Sequence, residues 1–228
     1  MRALAVLLAL MTPPALADGL TEIPYAALLD MPHLRVSFDT LPPAAEPGHV
    51  FDAPLRFEGV RIGEDLAGQT LAEAVTAEGR FDALHGVPLL PFRVEAGAHG
   101  CSLAVALHRG FGSNALFPLG PAGAGLREGR GEGAVAILFD RAQWRLGLKL
   151  HADYPDPLGT RPPRGTVTLR FWDEAGRMIA EQVLHPGTGV LPLAWQSDQP
   201  IRALTITNTD AGGIALDDIL HQTDPATG

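Results

Sequence analysis

Apolar residues recur at every second position in short segments along this chain, and that period most constrains the fold. Trp144, Leu146, Leu148 and Leu150 alternate with Arg145 and Lys149. This spacing gives a strand one apolar and one wet face, and it scatters around a helix. The same period runs through Leu34, Val36 and Phe38, through Val167, Leu169 and Phe171, and through Leu191, Leu193 and Trp195. Ala134-Val-Ala-Ile-Leu-Phe139 is apolar throughout, as suits a central strand. Further strand patterns lie at 103–107, 201–207 and 214–220. Asp173-Glu-Ala-Gly176 separates two strand patterns and carries Gly where a turn needs φ > 0, so 165–184 reads as a hairpin.

The 26 Gly and 20 Pro make up about a fifth of the 228 residues. That content favours many turns and short strands over long helices. The expected fold is all-β, a jelly-roll β-sandwich of about ten antiparallel strands with one or two short helices. The helix candidates are Tyr25–Leu29 and 66–77, the second interrupted by Gly68. The Gly- and Pro-rich stretch 110–133 reads as a long loop on the sandwich rim, and 153–165 as a second, Pro-rich loop. No repeat or linker divides the chain.

Residues 1–17 read as a signal peptide. Arg2 is the basic start, 3–11 form an apolar run too short to span a bilayer, Pro13 and Pro14 break it, and Ala15-Leu16-Ala17 fits a cleavage site. The expected arrangement is a cleaved leader at 1–17 and one domain at 18–228, secreted or periplasmic, with no transmembrane segment. The formal net charge of −9 and the lack of a basic cluster argue against nucleic acid as a partner. The one cysteine, Cys101, excludes an internal disulfide and a multi-cysteine zinc site. Its apolar-alternating neighbours suggest a buried thiol. An intermolecular disulfide and a pairing with His99 or His108 are the other readings.

Candidate chemistry concentrates in Asn208-Thr-Asp-Ala-Gly-Gly-Ile-Ala-Leu-Asp-Asp-Ile-Leu220. In a strand, Asp217 and Asp218 project to opposite faces, so one meets the interior or a sheet edge and needs a cation, hydrogen bonds or a metal. The eight His lack HxH and HExxH spacing. His99/Cys101 and His151/Asp153 have a spacing that shares a strand face. No Gly-x-Ser-x-Gly elbow or phosphate loop occurs. A carboxylate pair for glycoside hydrolysis is a matter of spatial separation, and 26 acidic residues do not select one. Trp172 is out of phase with Val167, Leu169 and Phe171, which suggests an exposed ring able to stack on a sugar.

The ending from Thr207 to Ile219 resembles the final strand of secreted bacterial jelly-roll domains, the carbohydrate-binding-module-like and galactose-binding-like sandwiches of exported PEP-CTERM-type proteins. Val36-Ser-Phe-Asp-Thr-Leu41, the segments 131–140 and 145–148, and Phe171-Trp-Asp-Glu-Ala-Gly176 fit the same pattern in order, spanning roughly 34–221. The resemblance implies a structural Ca²⁺ between the first and last strands, with Asp39 and one of Asp217 and Asp218 as ligands. Glu58, water or carbonyls would complete its six to eight oxygens. It also implies a non-catalytic binding module for a glycan or other surface ligand. The alternatives are a polysaccharide hydrolase with a carboxylate pair in the rim loops, and an envelope structural or assembly component.

Overall fold

The structure, a computed structural model, describes residues 19–152 and 164–224. Residues 1–17, where the sequence suggested a leader, and Asp153, the suggested partner of His151, lie outside the described residues. The chain opens with β1 (Leu20–Glu22), a single short helix turn α1 (Tyr25–Leu29), β2 (His33–Val36), β3 (His49–Phe51), β4 (Leu55–Phe57) and β5 (Val60–Gly63). Next come β6 (Asp65–Leu66), the hairpin β7 (Thr70–Thr76) and β8 (Gly79–His85), β9 (Val94–Glu95), β10 (Leu103–His108) and β11 (Ser113–Pro118). Five longer strands finish the chain: β12 (Val135–Ala152), β13 (Val167–Asp173), β14 (Met178–Leu184), β15 (Val190–Asn208) and β16 (Ile214–Gln222).

Strands β12 and β15 form one antiparallel ladder whose register shifts between Leu138 and Arg145. On one side of that shift, Val135 to Leu138 pair with Ile206 to Ala203, and the sheet extends through β13 and β14 on one edge and β5 and β4 on the other. On the other side, Arg145 to His151 pair with Gln196 to Val190, and the sheet extends through β16, β11, β10 and β3, with β1 on the far edge. The bulge thus bends both strands from one layer into the other. The result is an antiparallel β-sandwich, as the two-residue period requires.

The core fills the space between the layers. Val135, Ile137, Phe139, Leu169, Phe171 and Leu204 from one face meet Leu146, Leu148, Leu150, Trp195, Leu216 and Phe38 from the other. The outer faces are also covered. Helix α1 sets Tyr25 and Leu28 over Ala194 and Leu220, and Gly147 leaves room for them, because a Cβ there would meet Leu28 at 2.8 Å. Leu66, Phe92 and Val94 cover Ala136, Leu138 and Ala203 on the opposite layer.

Two expectations change. Segment 66–77 is extended, not helical: Gly68 takes φ +94°, ends β6, and the chain continues as β7 paired with β8 from Thr70↔His85 to Thr76↔Gly79. Here cross-strand pairing outweighs the helix propensity of Leu71, Ala72, Glu73 and Ala74. Stretch 110–133 is not one loop. Its residues Ser113–Pro118 are the buried strand β11, which the surrounding glycines obscured. The hairpin at 165–184 and helix α1 lie where the sequence placed them.

Candidate functional site

The aspartates of the last strand are separated by a bulge. Gly147 pairs with Leu220 but Lys149 pairs with Asp217, so an extra residue is accommodated and Asp218 adopts φ +48°. Asp217 is buried. It accepts from Ser113 Oγ at 2.7 Å and from the Asp218 N–H at 2.7 Å. Burial raises its pKa to about 6. Asp39 accepts from the Asn114 N–H at 2.9 Å and from Ser37 Oγ at 2.9 Å. Strand β11 therefore brings Asp39 and Asp217 to neighbouring positions. Asp218 turns away, to Lys149 Nζ at 2.6 Å and Arg35 at 3.4 Å. Glu58 lies by His221 instead.

The carboxylates of this cluster are each held by protein partners. Both oxygens of Asp39 and of Asp217 already accept hydrogen bonds, and Asp218 is neutralised by two cations. Among the described residues no three His, Cys, Asp or Glu side chains converge as metal ligands. The expected result is one melting temperature in EDTA and in 1 mM Ca²⁺. A rise of several degrees with Ca²⁺ would overturn this assignment of the aspartates.

Trp172 also differs from expectation. It does lie on the face opposite Phe171, but that face is roofed by Leu66, Phe92 and Val94, and the ring is only 2% exposed. Its Nε1–H donates to Thr205 Oγ1 at 3.1 Å. It is a core residue and offers no stacking surface. The alternation marked the correct face, while the covering segment comes from a distant part of the chain. Nor does His99 face Cys101: its Nδ1 lies 2.6 Å from Asp52, which also accepts the Gly100 N–H at 2.7 Å.

The most unusual electrostatics lie where the hairpin β7–β8 meets the sandwich. Glu64 follows β5, and its N–H donates to the Glu95 carbonyl at 2.8 Å. Asp82 projects from β8. Its N–H donates to the Glu132 carbonyl at 3.1 Å, and its Oδ2 accepts the Ala134 N–H at 3.2 Å. Both side chains are buried, at 2% and 5% exposure, and their carboxyl groups are hydrogen-bonded to each other. Gly97 permits this approach, since any Cβ there would collide with the Glu64 carboxyl.

Burial is the main cause that pushes both acids well above the ordinary carboxylate range; Asp82 and Asp65 add to it at Glu64. The Ala134 N–H and the bond from Glu64 both favour the charged form of Asp82, whereas the bond to Asp82 favours the acid form of Glu64. The two acids titrate as a coupled pair, and burial favours the protonated form of each.

This pair lines a pocket of about 210 Å³ with Leu71, Ala72, Glu73, Ala98 and Cys101. Glu73 stands opposite Asp82 across the hairpin and is held by Arg80 through two 2.6 Å bonds, which lower its pKa. Cys101 is half-buried, and its thiol pKa is raised by burial and then by Glu64, Asp82 and Asp52. It is a weak nucleophile there.

A larger pocket, about 320 Å³, opens beside α1 near Met31, His33 and Arg145. Several of its polar groups are engaged with neighbours, although the buried Nε2 of His221 has no hydrogen-bond partner. Arg145 Nε donates to Gln196, His33 Nδ1 meets the Met31 carbonyl, and Gln222 Oε1 accepts from the Trp144 and Arg145 N–H groups.

Sequence reasoning found neither Glu64 nor Asp82. The one available signal is Asp82 directly after Phe81 in a strand, which forces either a ring or a carboxylate toward the protein. Its partner comes from another strand.

No family model matches the chain, and no curated protein matches it. Among solved structures, the chain is similar to a mutant of the carbohydrate-binding module CBM29-2 complexed with mannohexaose, at 13% identity and a TM-score of 0.33. The match covers 52% of this chain and 74% of that one.

Proposed function

We propose that this chain is an extracytoplasmic, non-catalytic binding module that takes a polar, hydroxyl-bearing ligand, a glycan end, in the pocket over Glu64 and Asp82. The observation that carries the reading is the hydrogen-bonded carboxyl pair on the pocket wall, beside small apolar residues. Two carboxyl groups side by side offer acceptor oxygens to the paired hydroxyls of a sugar, and Leu71, Ala72 and Ala98 suit its C–H face. Export rests on the leader pattern at 1–17.

The same geometry weighs against the hydrolase alternative. Two-carboxylate glycoside hydrolysis needs the groups about 5 to 9.5 Å apart, so that a sugar or a water fits between them. Glu64 and Asp82 are in direct hydrogen-bond contact instead.

The test is an array of neutral and amino-substituted oligosaccharides probed with the wild-type protein, with Ala72→Trp and with Asp82→Asn. Wild type is expected to give hits that Ala72→Trp abolishes by filling the pocket and Asp82→Asn weakens at least tenfold. No release of reducing ends is expected from any hit. Hits unaffected by both substitutions would place the ligand elsewhere, and an array without hits would overturn the glycan reading.

A further inference from the structure

The pocket of about 320 Å³ beside α1 combines an apolar floor with two hydrogen-bond donors that lack an acceptor. Leu28 of α1 and Leu220 of β16 are buried in one cluster and form the floor, and Met31 lines the wall next to them. Arg145 of β12 is half-buried on the same wall. Its Nε is fixed by Gln196 Oε1 at 2.9 Å, and its Nη1 meets only the Met31 thioether, a weak acceptor, at 3.7 Å. Nη2 has no acceptor, and the guanidinium forms no ion pair, among the described residues.

Gln222 supplies the second donor. Its Oε1 accepts the N–H groups of Trp144 and Arg145 at 2.8 and 2.9 Å, and its own N–H donates to Gln143 Oε1 at 2.7 Å. These bonds pin the amide oxygen to the backbone of Arg145. The Nε2 amide is therefore the other end, and it has no acceptor among the described residues. Two adjacent side chains thus present N–H groups, one of them charged, above buried leucines.

We propose that this pocket binds a small monocarboxylate with an apolar body: the carboxylate accepts from Arg145 and Gln222, and the body covers Leu28, Leu220 and Met31. A carboxylate only accepts hydrogen bonds, and its two oxygens match the planar guanidinium. An alcohol would leave the charge of Arg145 uncompensated, and an ammonium would be repelled by it. Asp224 also lines the pocket, at its exposed end, so a second negative charge on the ligand is disfavoured. His33 contributes no further donor at Nδ1, which is given to the Met31 carbonyl at 2.8 Å. The His221 ring packs on Phe139, with centroids 5.9 Å apart, and belongs to the wall. The volume lies at the small end of ligand pockets, which span about 300 to 1,000 Å³, and suits a compact molecule. This site is independent of the glycan reading, which concerns a different pocket.

The experiment is a titration of the full chain at pH 7 with hexanoate, 1-hexanol and hexylammonium, followed by backbone amide chemical shifts. Hexanoate is expected to saturate with a Kd of about 1 mM or tighter and to move the amides of Arg145 and of 220–223. The alcohol and the ammonium should bind at least tenfold more weakly. Arg145→Met keeps the apolar stem and should weaken hexanoate at least tenfold while leaving 1-hexanol unchanged. Met31→Trp should abolish both by filling the pocket. Hexanoate and 1-hexanol binding equally well would mean that the apolar floor acts alone, and would overturn the carboxylate site. So would hexylammonium binding as tightly as hexanoate, hexanoate shifts confined to other residues, or an Arg145→Met protein that binds hexanoate as wild type does. Should Arg145→Met fail to fold, the ratio of hexanoate to 1-hexanol affinity in wild type decides alone.

Discussion

Trp195→Ala is expected to remove about 3 to 5 kcal/mol of folding stability. Trp195 is fully buried between the layers and packs edge-on against Phe171, with ring centroids 5.2 Å apart at 65°. Its Nε1–H donates to Gln182 Oε1 at 2.7 Å. Truncation opens a cavity at the contact of the two sheets and also strands the amide of Gln182, which is 7% exposed. Domains of this size hold about 5 to 15 kcal/mol in total, so the variant should sit near the edge of unfolding at 37 °C. Trp195→Phe keeps most of the packing and loses only the hydrogen bond, so about 1 to 3 kcal/mol is expected for it. Urea unfolding of the three proteins checks the order. A loss under 1 kcal/mol for the alanine variant would mean that the layers do not depend on this ring.

The second large effect is a loss of stability as pH rises above neutrality. Glu64 and Asp82 are held above their ordinary range by burial, as is Glu132, at about 8. A carboxyl with a raised folded pKa keeps a proton that the unfolded chain releases. Its contribution is complete below about pH 4 and disappears as pH climbs through the folded value. His108, His151 and His221 act the other way. Burial lowers all three, so they favour the fold above about pH 6.5 and cost stability as pH falls. Above about pH 7.5 the histidines are neutral in both states, and the carboxyls dominate. Stability should therefore fall above that pH, by about 1.4 kcal/mol per pH unit for each proton retained by the fold. Glu132→Gln removes one such proton, and the buried Glu132 Oε2 has no partner to lose. Its slope should be shallower than wild type by about one proton, and it should be the more stable protein at pH 8. Urea midpoints at half-unit steps measure this. A wild-type curve that is flat or rising from about pH 7.5 to 9 would contradict the buried-acid account.

The sequence conveys what depends on neighbours along the chain. Alternation identified Val167, Leu169, Phe171 and Trp195 as core residues, and Gly176 marked its turn. The opposite projection of Asp217 and Asp218 followed from strand geometry alone. What failed depends on segments that return from far away. Trp172 has the phase of an outward residue, and only the arrival of Leu66 and Phe92 buries it. Segment 66–77 has the composition of a helix, and only its pairing with 79–85 makes it a strand. The bulge that turns Asp218 to Lys149 is a feature of register between strands, which no single segment encodes. Glu64 and Asp82 are two among 26 acids, and nothing in their own surroundings announces that they are buried on one pocket wall.

Strands β12 and β15 each belong to both layers, and this has a consequence for how the molecule comes apart. In a sandwich whose sheets own separate strands, one sheet can melt while the other survives as a partly ordered intermediate. Here the ladder from Val135↔Ile206 to His151↔Val190 is the spine of both. Releasing either half frees the shared backbone on which the other half hangs. The two sheets therefore form a single cooperative unit, and a chain nicked within either strand has no half-molecule to fall back on.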